Sequence, residues 1–401
     1  MKRRQIKILQ VITELAIGGA QEHMIYLCDL LDQKRFHITV LSGIQTTSES
    51  NYIEEIRKKT IKLTLLPQLT RKIKPLQDLA ALFKMAIYIK SERFDIVHTN
   101  SSKAGILGRL AARAAGVPVI VHTAHGWAHH TYMSRPRQRL YITLERIAEK
   151  CTDKIIAVSE LNVKKALDDR IGHPGKYCVI RSGIDVEKIS RSGIDPDRER
   201  RKWNIDPSDK IVGSVTRLFD QKSPADFIRM ANEILKKNGK VSFLLVGDGP
   251  LRKEVEAMIV EYGISKRVIL TGFRDDIPEL LSMMDVFVLT SLWEGLPRVL
   301  PQAMARGIPI VATGIDGVPE AVKHGENGFL VPARDYRALA ERTLQLIENP
   351  SLAKRMGEEG KKMVYPEFCV KEMVKKTEEL YEDLFKLKSL TNSEKISQEW
   401  V

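Results

Sequence analysis

At 401 residues the chain is longer than one hydrophobic core usually serves, so two domains are the expectation. With 43% hydrophobic and 29% charged residues it lies outside the disordered range, and no stretch approaches the roughly 20 unbroken apolar residues of a spanning helix. The net charge of +13 sits in one half: residues 1–190 hold 31 Lys and Arg against 18 Asp and Glu, whereas residues 191–401 hold 33 of each.

Short apolar runs alternate with helix-length amphipathic segments, the pattern of stacked β-α units on parallel sheets. The first run, 6–13, follows Lys2, Arg3 and Arg4 in the manner of a leader peptide. Glu14 interrupts it, Gly18-Gly19 end it and no small-residue cleavage site follows, so it reads as a first strand. Gly18-Gly19-Ala20 then leads into a helix over 20–32. Two glycines let the backbone pass close to a ligand while helix amides point at a phosphate. The third glycine of a dinucleotide fingerprint is missing, and a plain tight turn fits the same residues.

Strands follow at 37–43, 61–67 and 95–100, with a helix over 76–91. Lys58, Lys59, Lys62, Arg71, Lys72 and Lys74 surround Leu65, Leu66 and Leu69. This mixture suits peripheral contact with an anionic membrane, or a solvated basic face. The next strand, 117–124, runs into His122-Thr123-Ala124-His125-Gly126. Strand alternation turns His122 and His125 to opposite faces. With His129 and His130 they raise the question of zinc, against which stand the lack of helix-face spacing and of a nearby carboxylate. His125, at the strand end, is the one placed to enter a crevice. A helix over 137–150 and strands at 154–159 and 177–181 complete a first domain, 1–190.

Residues 191–209 are polar and charged and read as a linker. A second series opens at Lys210, with strands at 210–215, 241–246, 268–270, 286–289, 309–312 and 328–331. Past its first strand, Arg217 and Lys222 stand ahead of a helix starting near Pro224, two cations suited to a departing pyrophosphate. Leu245-Val246-Gly247-Asp248-Gly249-Pro250 is another strand-glycine-helix passage. The run Glu294-Gly295-Leu296-Pro297-Arg298-Val299-Leu300-Pro301-Gln302 follows the strand 286–289, and Pro297 suits the first turn of a helix. Amides at 296–299 then face an anion, Glu294 reaches sugar hydroxyls and Gln302 a ribose; a capped structural helix is the plainer alternative. This second domain spans 210–366. Apolar spacing predicts a last helix over 367–388 packing back toward the first domain, with 389–401 as a flexible tail.

Cys28, Cys151, Cys178 and Cys369 show no pair spacing and read as small buried hydrophobes of a reducing, cytoplasmic protein. Two doubly wound α/β domains facing across a cleft leave several functions open. An epimerase or phosphorylase of this architecture is one. A nucleic-acid-binding protein is another, prompted by the basic half, although no aromatic platform accompanies its Lys and Arg clusters.

Taken in order, the motifs resemble the retaining nucleotide-sugar glycosyltransferases of family 4, which have the GT-B fold. The resemblance runs from Gly18-Gly19-Ala20 through His125-Gly126, Val158-Ser159-Glu160 and Ile180-Arg181-Ser182-Gly183 to Arg217 and Lys222. It continues through Gly247-Asp248-Gly249, Thr271-Gly272-Phe273, Glu294 to Gln302, Gly317-Val318-Pro319-Glu320 and His324 to Pro332. It implies that Gly18, Gly19, Gly247, Gly249, Phe273, Leu296, Pro297, Arg298, Val299 and Gln302 bind the donor. His125 would lie near the reacting centre, Arg217 and Lys222 would neutralise the diphosphate, and Glu294 would contact the sugar. Gln302 stands where the family has a second glutamate. Arg181-Ser182 replaces a common Pro-Asn, a departure expected to concern the interdomain turn. The implied reaction moves a sugar, from UDP most simply, to a polysaccharide or lipid-linked acceptor for the cell surface. It is expected to need no metal or other cofactor, and its expected setting is the cytoplasm, with peripheral contact at the inner face of the plasma membrane. Asp195-Pro196-Asp197 has metal-pair spacing but lies in the linker.

Overall fold

The computed structural model describes residues 4–44, 52–59, 61–191 and 193–398. The chain divides into two compact units, the first made of the residues up to Ser182 and those from Val370 on, the second of Gly183–Cys369.

In the first unit seven parallel strands lie in the order β3-β2-β1-β4-β5-β6-β7. They are β1 (Ile6–Ile12), β2 (Phe36–Ser42), β3 (Lys62–Leu65), β4 (Ile96–Asn100), β5 (Val119–Ala124), β6 (Lys154–Ala157) and β7 (Tyr177–Val179). The winding reverses between β1 and β4, so the loops after these two strands diverge and leave a crevice at their carboxyl ends. β4 and β5 are buried along their whole length because helices cover both faces.

The second unit has six parallel strands in the order β10-β9-β8-β11-β12-β13. They are β8 (Lys210–Val215), β9 (Val241–Val246), β10 (Val268–Gly272), β11 (Val286–Leu289), β12 (Ile310–Thr313) and β13 (Gly328–Val331). Here the reversal falls between β8 and β11. Every strand expected from the sequence is present, its ends within two residues of expectation. Among the described residues no helix is long and apolar enough to cross a membrane.

The structure corrects the outline in four places. The first unit's initial stretch ends at Ser182 rather than 190. The expected linker belongs to the second unit and contains the helix Pro196–Lys202. Ionic and polar contacts hold it, which is why no apolar pattern marked it: Arg200 bonds to Asp285 and to the Met283 carbonyl, and Arg191 pairs with Glu279. Its Asp195 caps that helix by accepting from the Asp197 and Arg198 amides, so the Asp195-Pro196-Asp197 pair is a helix start. Ser192 lies outside the described residues, as do residues 1–3. The last helix is Val370–Gln398, so residues 389–398 continue it where a flexible tail was expected; 399–401 lie outside the described residues. Ion pairs from Glu382 to Arg35 and from Lys388 to Asp153 tie this helix to its own unit. Finally, Leu69 is fully buried and Leu66 packs against its cluster, so these leucines serve the core rather than a membrane face.

All four cysteines are free thiols; Cys28 and Cys369 are buried, whereas Cys151 and Cys178 are partly exposed. Burial pushes the Cys28 thiol up to about 12.

The first unit also buries His98 and His122. Desolvation, with the nearby His125 ring adding to it, lowers His98 from 6.5 to about 3. Between those two values the unfolded chain takes up a proton that the folded chain refuses. Stability is therefore expected to be full above pH 6.5 and to fall as pH drops toward 3, by about 1.4 kcal/mol per pH unit for this ring. Urea midpoints between pH 7 and 4 check this; a midpoint that does not move, or the same slope in a His98→Gln variant, would contradict it.

Candidate active site

In the first unit, Gly18 precedes the helix Gly19–Leu30 and caps it without a side chain, while Gly19 opens it exposed at the surface. The helix carries buried His23 against His125, ring centroids 4.9 Å apart and edge to face. Thus the helix that follows the glycine turn meets His125 beyond the carboxyl end of β5. His125 Nε2 also reaches Asn100 Oδ1, 3.0 Å away at the end of β4. His23 Nδ1 contacts Ser182 Oγ at 3.1 Å. The Arg181-Ser182 departure therefore touches the surroundings of His125, contrary to the expectation that it concerned a turn alone.

The other histidines of the cluster point elsewhere. His122 is buried against Thr99, and burial followed by the Arg109 charge drives its pKa well down. His129 Nε2 pairs with Asp169 Oδ2 at 2.8 Å. Among the described residues no group of three or more His, Cys, Asp or Glu side chains is disposed to hold a metal ion.

In the second unit the reversal point brings the strongest candidates together. Arg217 and Lys222 leave β8, and Glu294 leaves β11 beside it. The Lys222 ammonium is hydrogen-bonded to Glu294 Oε1, which also accepts from Ser291 Oγ at 2.7 Å. Asp316 Oδ2 holds the Glu294 amide at 2.8 Å, and Gln221 Nε2 donates to the Trp293 carbonyl at 2.8 Å. The Arg217 guanidinium lies over the Phe219 ring, 4.8 Å from its centre. Two cations and one carboxylate thus share the end of two neighbouring strands, an arrangement that can hold a diphosphate beside a polyhydroxylated ring.

The remaining donor-binding expectations divide. Phe273 is half exposed at the end of β10, open to stacking by a planar ligand. Gln302 is partly buried on the helix Val299–Ala305, and its side chain has no hydrogen-bond partner among the described residues. Pro297 precedes that helix instead of sitting in its first turn, because Arg298 is the cap. Leu296 and Pro297 are buried, and Val299 partly so. The Arg298 side chain is buried, and its Nε donates to the Gly183 carbonyl at 3.1 Å, so it also anchors the entering chain. Gly247 and Gly249 are needed by the protein itself. A Cβ on Gly247, at φ +131°, would stand 1.8 Å from the Thr216 carbonyl oxygen, and one on Gly249 would stand 2.5 Å from that of Leu218. This close approach packs the two loops together.

Asp316, Ser291, Gln221, His23 and Asn100 were not singled out from the sequence. Asp316 alone left a signal, its position just before the Gly317-Val318-Pro319-Glu320 motif; it adopts φ +39°, unusual for a residue with a side chain.

With this geometry in hand, comparison with known proteins is direct. The model for Glycosyltransferase Family 4 matches residues 17–188, and that for Glycosyl transferases group 1 matches residues 195–363. The chain is 31% identical to the Escherichia coli UDP-Gal:alpha-D-GlcNAc-diphosphoundecaprenol alpha-1,3-galactosyltransferase, over 95% of this chain and 97% of that one. It is 26% identical to the Staphylococcus aureus capsular polysaccharide biosynthesis glycosyltransferase CapM, over 88% of this chain and 98% of that one. In fold it matches Anabaena HepE crystallised with UDP and glucose, with a TM-score of 0.82 at 23% identity over 94% of this chain and all of that one. Two parallel sheets with these matches define a GT-B glycosyltransferase. The chain belongs to glycosyltransferase family 4.

The Lys222–Glu294 pair yields a test independent of activity. Lys222 is 18% exposed and Glu294 7%. Glu294→Ala leaves the ammonium without its counter-charge and is expected to lower stability by about 3 kcal/mol, whereas Glu294→Gln keeps an acceptor and costs less. Denaturant titration separates the two; equal midpoints for Glu294→Ala and the parent would remove the pair from any structural role.

Proposed function

We propose that this glycosyltransferase moves a sugar with retention from a UDP-sugar to a lipid-linked or polysaccharide acceptor in cell-surface glycan assembly. The observation that carries the reading is the gathering of Arg217, Lys222 and Glu294 at the ends of β8 and β11. The choice of donor and acceptor leans on the relatives: the E. coli enzyme is named for UDP-Gal and a diphosphoundecaprenol acceptor, and HepE was crystallised with UDP.

In this mechanism the donor diphosphate takes over Lys222 and lies against Arg217. Glu294, released from Lys222, accepts from the sugar hydroxyls. The anomeric C–O bond to phosphate breaks while the acceptor oxygen bonds to the same face of that carbon. The acceptor proton passes to the departing phosphate oxygen, so no covalent enzyme intermediate is needed. Phe273 and Gln302 serve the nucleoside. His125 orients the sugar or the acceptor in the first unit, and Gly19 approaches the donor there. The two fixed cations take the part a divalent ion plays in other transferases, and no metal or other cofactor enters the proposal.

Arg217→Ala is expected to cut turnover by roughly 10²-fold or more, as loss of transition-state charge stabilisation does. Transfer from a UDP-sugar in excess EDTA is expected to persist. Unchanged turnover in the variant removes Arg217 from the mechanism, and activity lost to EDTA but restored by a divalent metal overturns the metal-free step.

The same reading sets the first unit against the inner face of an anionic membrane. Its support is the helix Pro75–Glu92, which buries Ala81, Met85 and Ile89 on one side yet presents Leu76, Leu79, Phe83 and Ile87 outward. Leu76 is 86% exposed and Ile87 70%, where a solvated helix would be polar. Lys72, Lys74 and Lys84 flank this stripe without a carboxylate partner among the described residues. Co-sedimentation with phosphatidylglycerol-containing vesicles is expected, and it should weaken in Phe83→Glu/Ile87→Glu. Equal sedimentation of both proteins, or none with either, argues against this face.

A further inference from the structure

In the second unit the stretch that carries Glu294 is tied, residue by residue, to the loops on either side of it. On one side stands the chain leaving β8. The Thr290 hydroxyl donates to the Lys222 carbonyl at 2.7 Å, the Leu292 amide to the Gln221 carbonyl at 2.7 Å, and Gln221 Nε2 to the Trp293 carbonyl at 2.8 Å. On the other side stands the chain leaving β12. The Thr313 hydroxyl donates to the Ser291 carbonyl at 2.6 Å, the Glu294 amide to Asp316 Oδ2 at 2.8 Å, and the Gly317 amide to the Gly295 carbonyl at 3.0 Å. None of these ties uses the Glu294 carboxylate.

Asp316 holds its place at a cost. Its φ of +39° lies in the left-handed region, where side chains crowd the backbone and glycine fits best, with aspartate and asparagine the least penalised of the rest. What its carboxylate gains there is the Glu294 amide. The other end of Glu294 is held as well. Oε1 accepts from the Lys222 ammonium and from Ser291 Oγ at 2.7 Å, and Ser291 is wholly buried. Oε2 has no partner among the described residues. The two oxygens of a carboxylate are equivalent acceptors, so turning the group over leaves the same account, one oxygen held and one open. When a diphosphate takes Lys222, Ser291 still holds Oε1, and the carboxylate keeps its direction.

We infer that Asp316 and Ser291 are positioning residues for Glu294, holding its amide and one carboxylate oxygen so that the other, Oε2, accepts from a donor-sugar hydroxyl. This rests on the reading that sets Glu294 against the sugar. It goes further in naming the accepting oxygen and in giving the loop after β12 a share in the site. Because Glu294 is set before a donor arrives, the hydroxyl finds its acceptor without a loop having to order around it. A displacement of about 1 Å in the Glu294 backbone is then enough to slow transfer.

Two variants separate the hydrogen bond from the backbone. Asp316→Gly suits the positive φ but leaves the Glu294 amide without its acceptor, whereas Asp316→Asn tolerates that φ and keeps an oxygen there. Amide hydrogen exchange of the full chain, read at Glu294 by NMR, is expected to be roughly ten-fold or more faster in Asp316→Gly than in the parent, and to slow again in Asp316→Asn. With UDP-glucose or UDP-galactose as donor and a diphospholipid-linked sugar as acceptor, kcat should fall roughly ten-fold or more in Asp316→Gly, while UDP, which has no sugar, binds within about two-fold of the parent. Asp316→Asn should recover most of the rate. Ser291→Ala should lower kcat in the same way yet leave exchange at Glu294 as in the parent. A merely structural Asp316 would weaken UDP binding along with the rate. That outcome overturns the inference, and so does unchanged exchange in folded Asp316→Gly or a Ser291→Ala protein as fast as the parent. Should exchange behave as stated while the parent turns over no UDP-sugar, the hold on the Glu294 amide stands and the proposed reaction is what fails.

Discussion

The second unit's candidate site depends on one backbone pairing, that of β8 with β11. The two strands are parallel neighbours, with Val286 opposite Val212 and Phe287 opposite Gly213. Gly213 is required there: a Cβ on it would stand 2.2 Å from the Met284 sulfur just ahead of β11. Once that register is set, the chain leaving β8 delivers Arg217 and Lys222, and the chain leaving β11 delivers Ser291 and Glu294. The Thr290 hydroxyl fastens the two exits by donating to the Lys222 carbonyl at 2.7 Å. The ion pair between Lys222 and Glu294 is therefore a consequence of the ladder rather than its cause. That order matters for chemistry, because a ligand can displace the pair without loosening the strands.

Much of this was legible in the sequence because parallel strands buried on both faces are apolar throughout and stand out against amphipathic helices. The strand ends followed, and with them the places where ligand-facing residues occur in open α/β sheets. Segments held by charge were not legible. Arg200 on Asp285 and Asp195 at its helix start look, in one dimension, like solvated linker residues. The end of the C-terminal helix, tied by Lys388 to Asp153, looks like a tail for the same reason. Within the site, Glu294 and Lys222 could be named from their motifs, but their contact joins positions 72 residues apart and needs the sheet. Asn100 carries no local pattern at all, and Asp316 only its place before a motif; the adjacency of strand ends gives each its partner.

The motifs also mix two kinds of constraint that a sequence does not separate. Gly247 and Gly249 answer to the backbone of Thr216 and Leu218, and Arg298 answers to Gly183. Ser159 caps the helix Glu160–Asp168 by accepting from the Asn162 amide. Each belongs to a recognisable run, and each is explained by packing or capping before any ligand is considered. Glu294, Arg217 and Phe273 are different: they follow strand ends, and no helix cap or close backbone approach accounts for them. Recognising a family from its motifs and locating its chemistry are consequently separate steps.

The two units hold their functional groups in opposite ways. Lys222 and Glu294 form a largely buried charged pair, so a ligand that separates them must itself supply the phosphate and hydroxyls that replace each partner. His125 is instead partly buried, at the end of a line of buried uncharged side chains, Tyr381, Gln10 and Asn100, in which each hydrogen bond depends on the next. Exchange there would strand a polar group away from water, a cost of a few kcal/mol that no single new contact repays. A charged pair suits a group that must respond to each arriving donor. A buried uncharged line suits one that must already be in place when the substrate arrives, and it explains why so much polar material is placed where an all-apolar core would be simpler to fold.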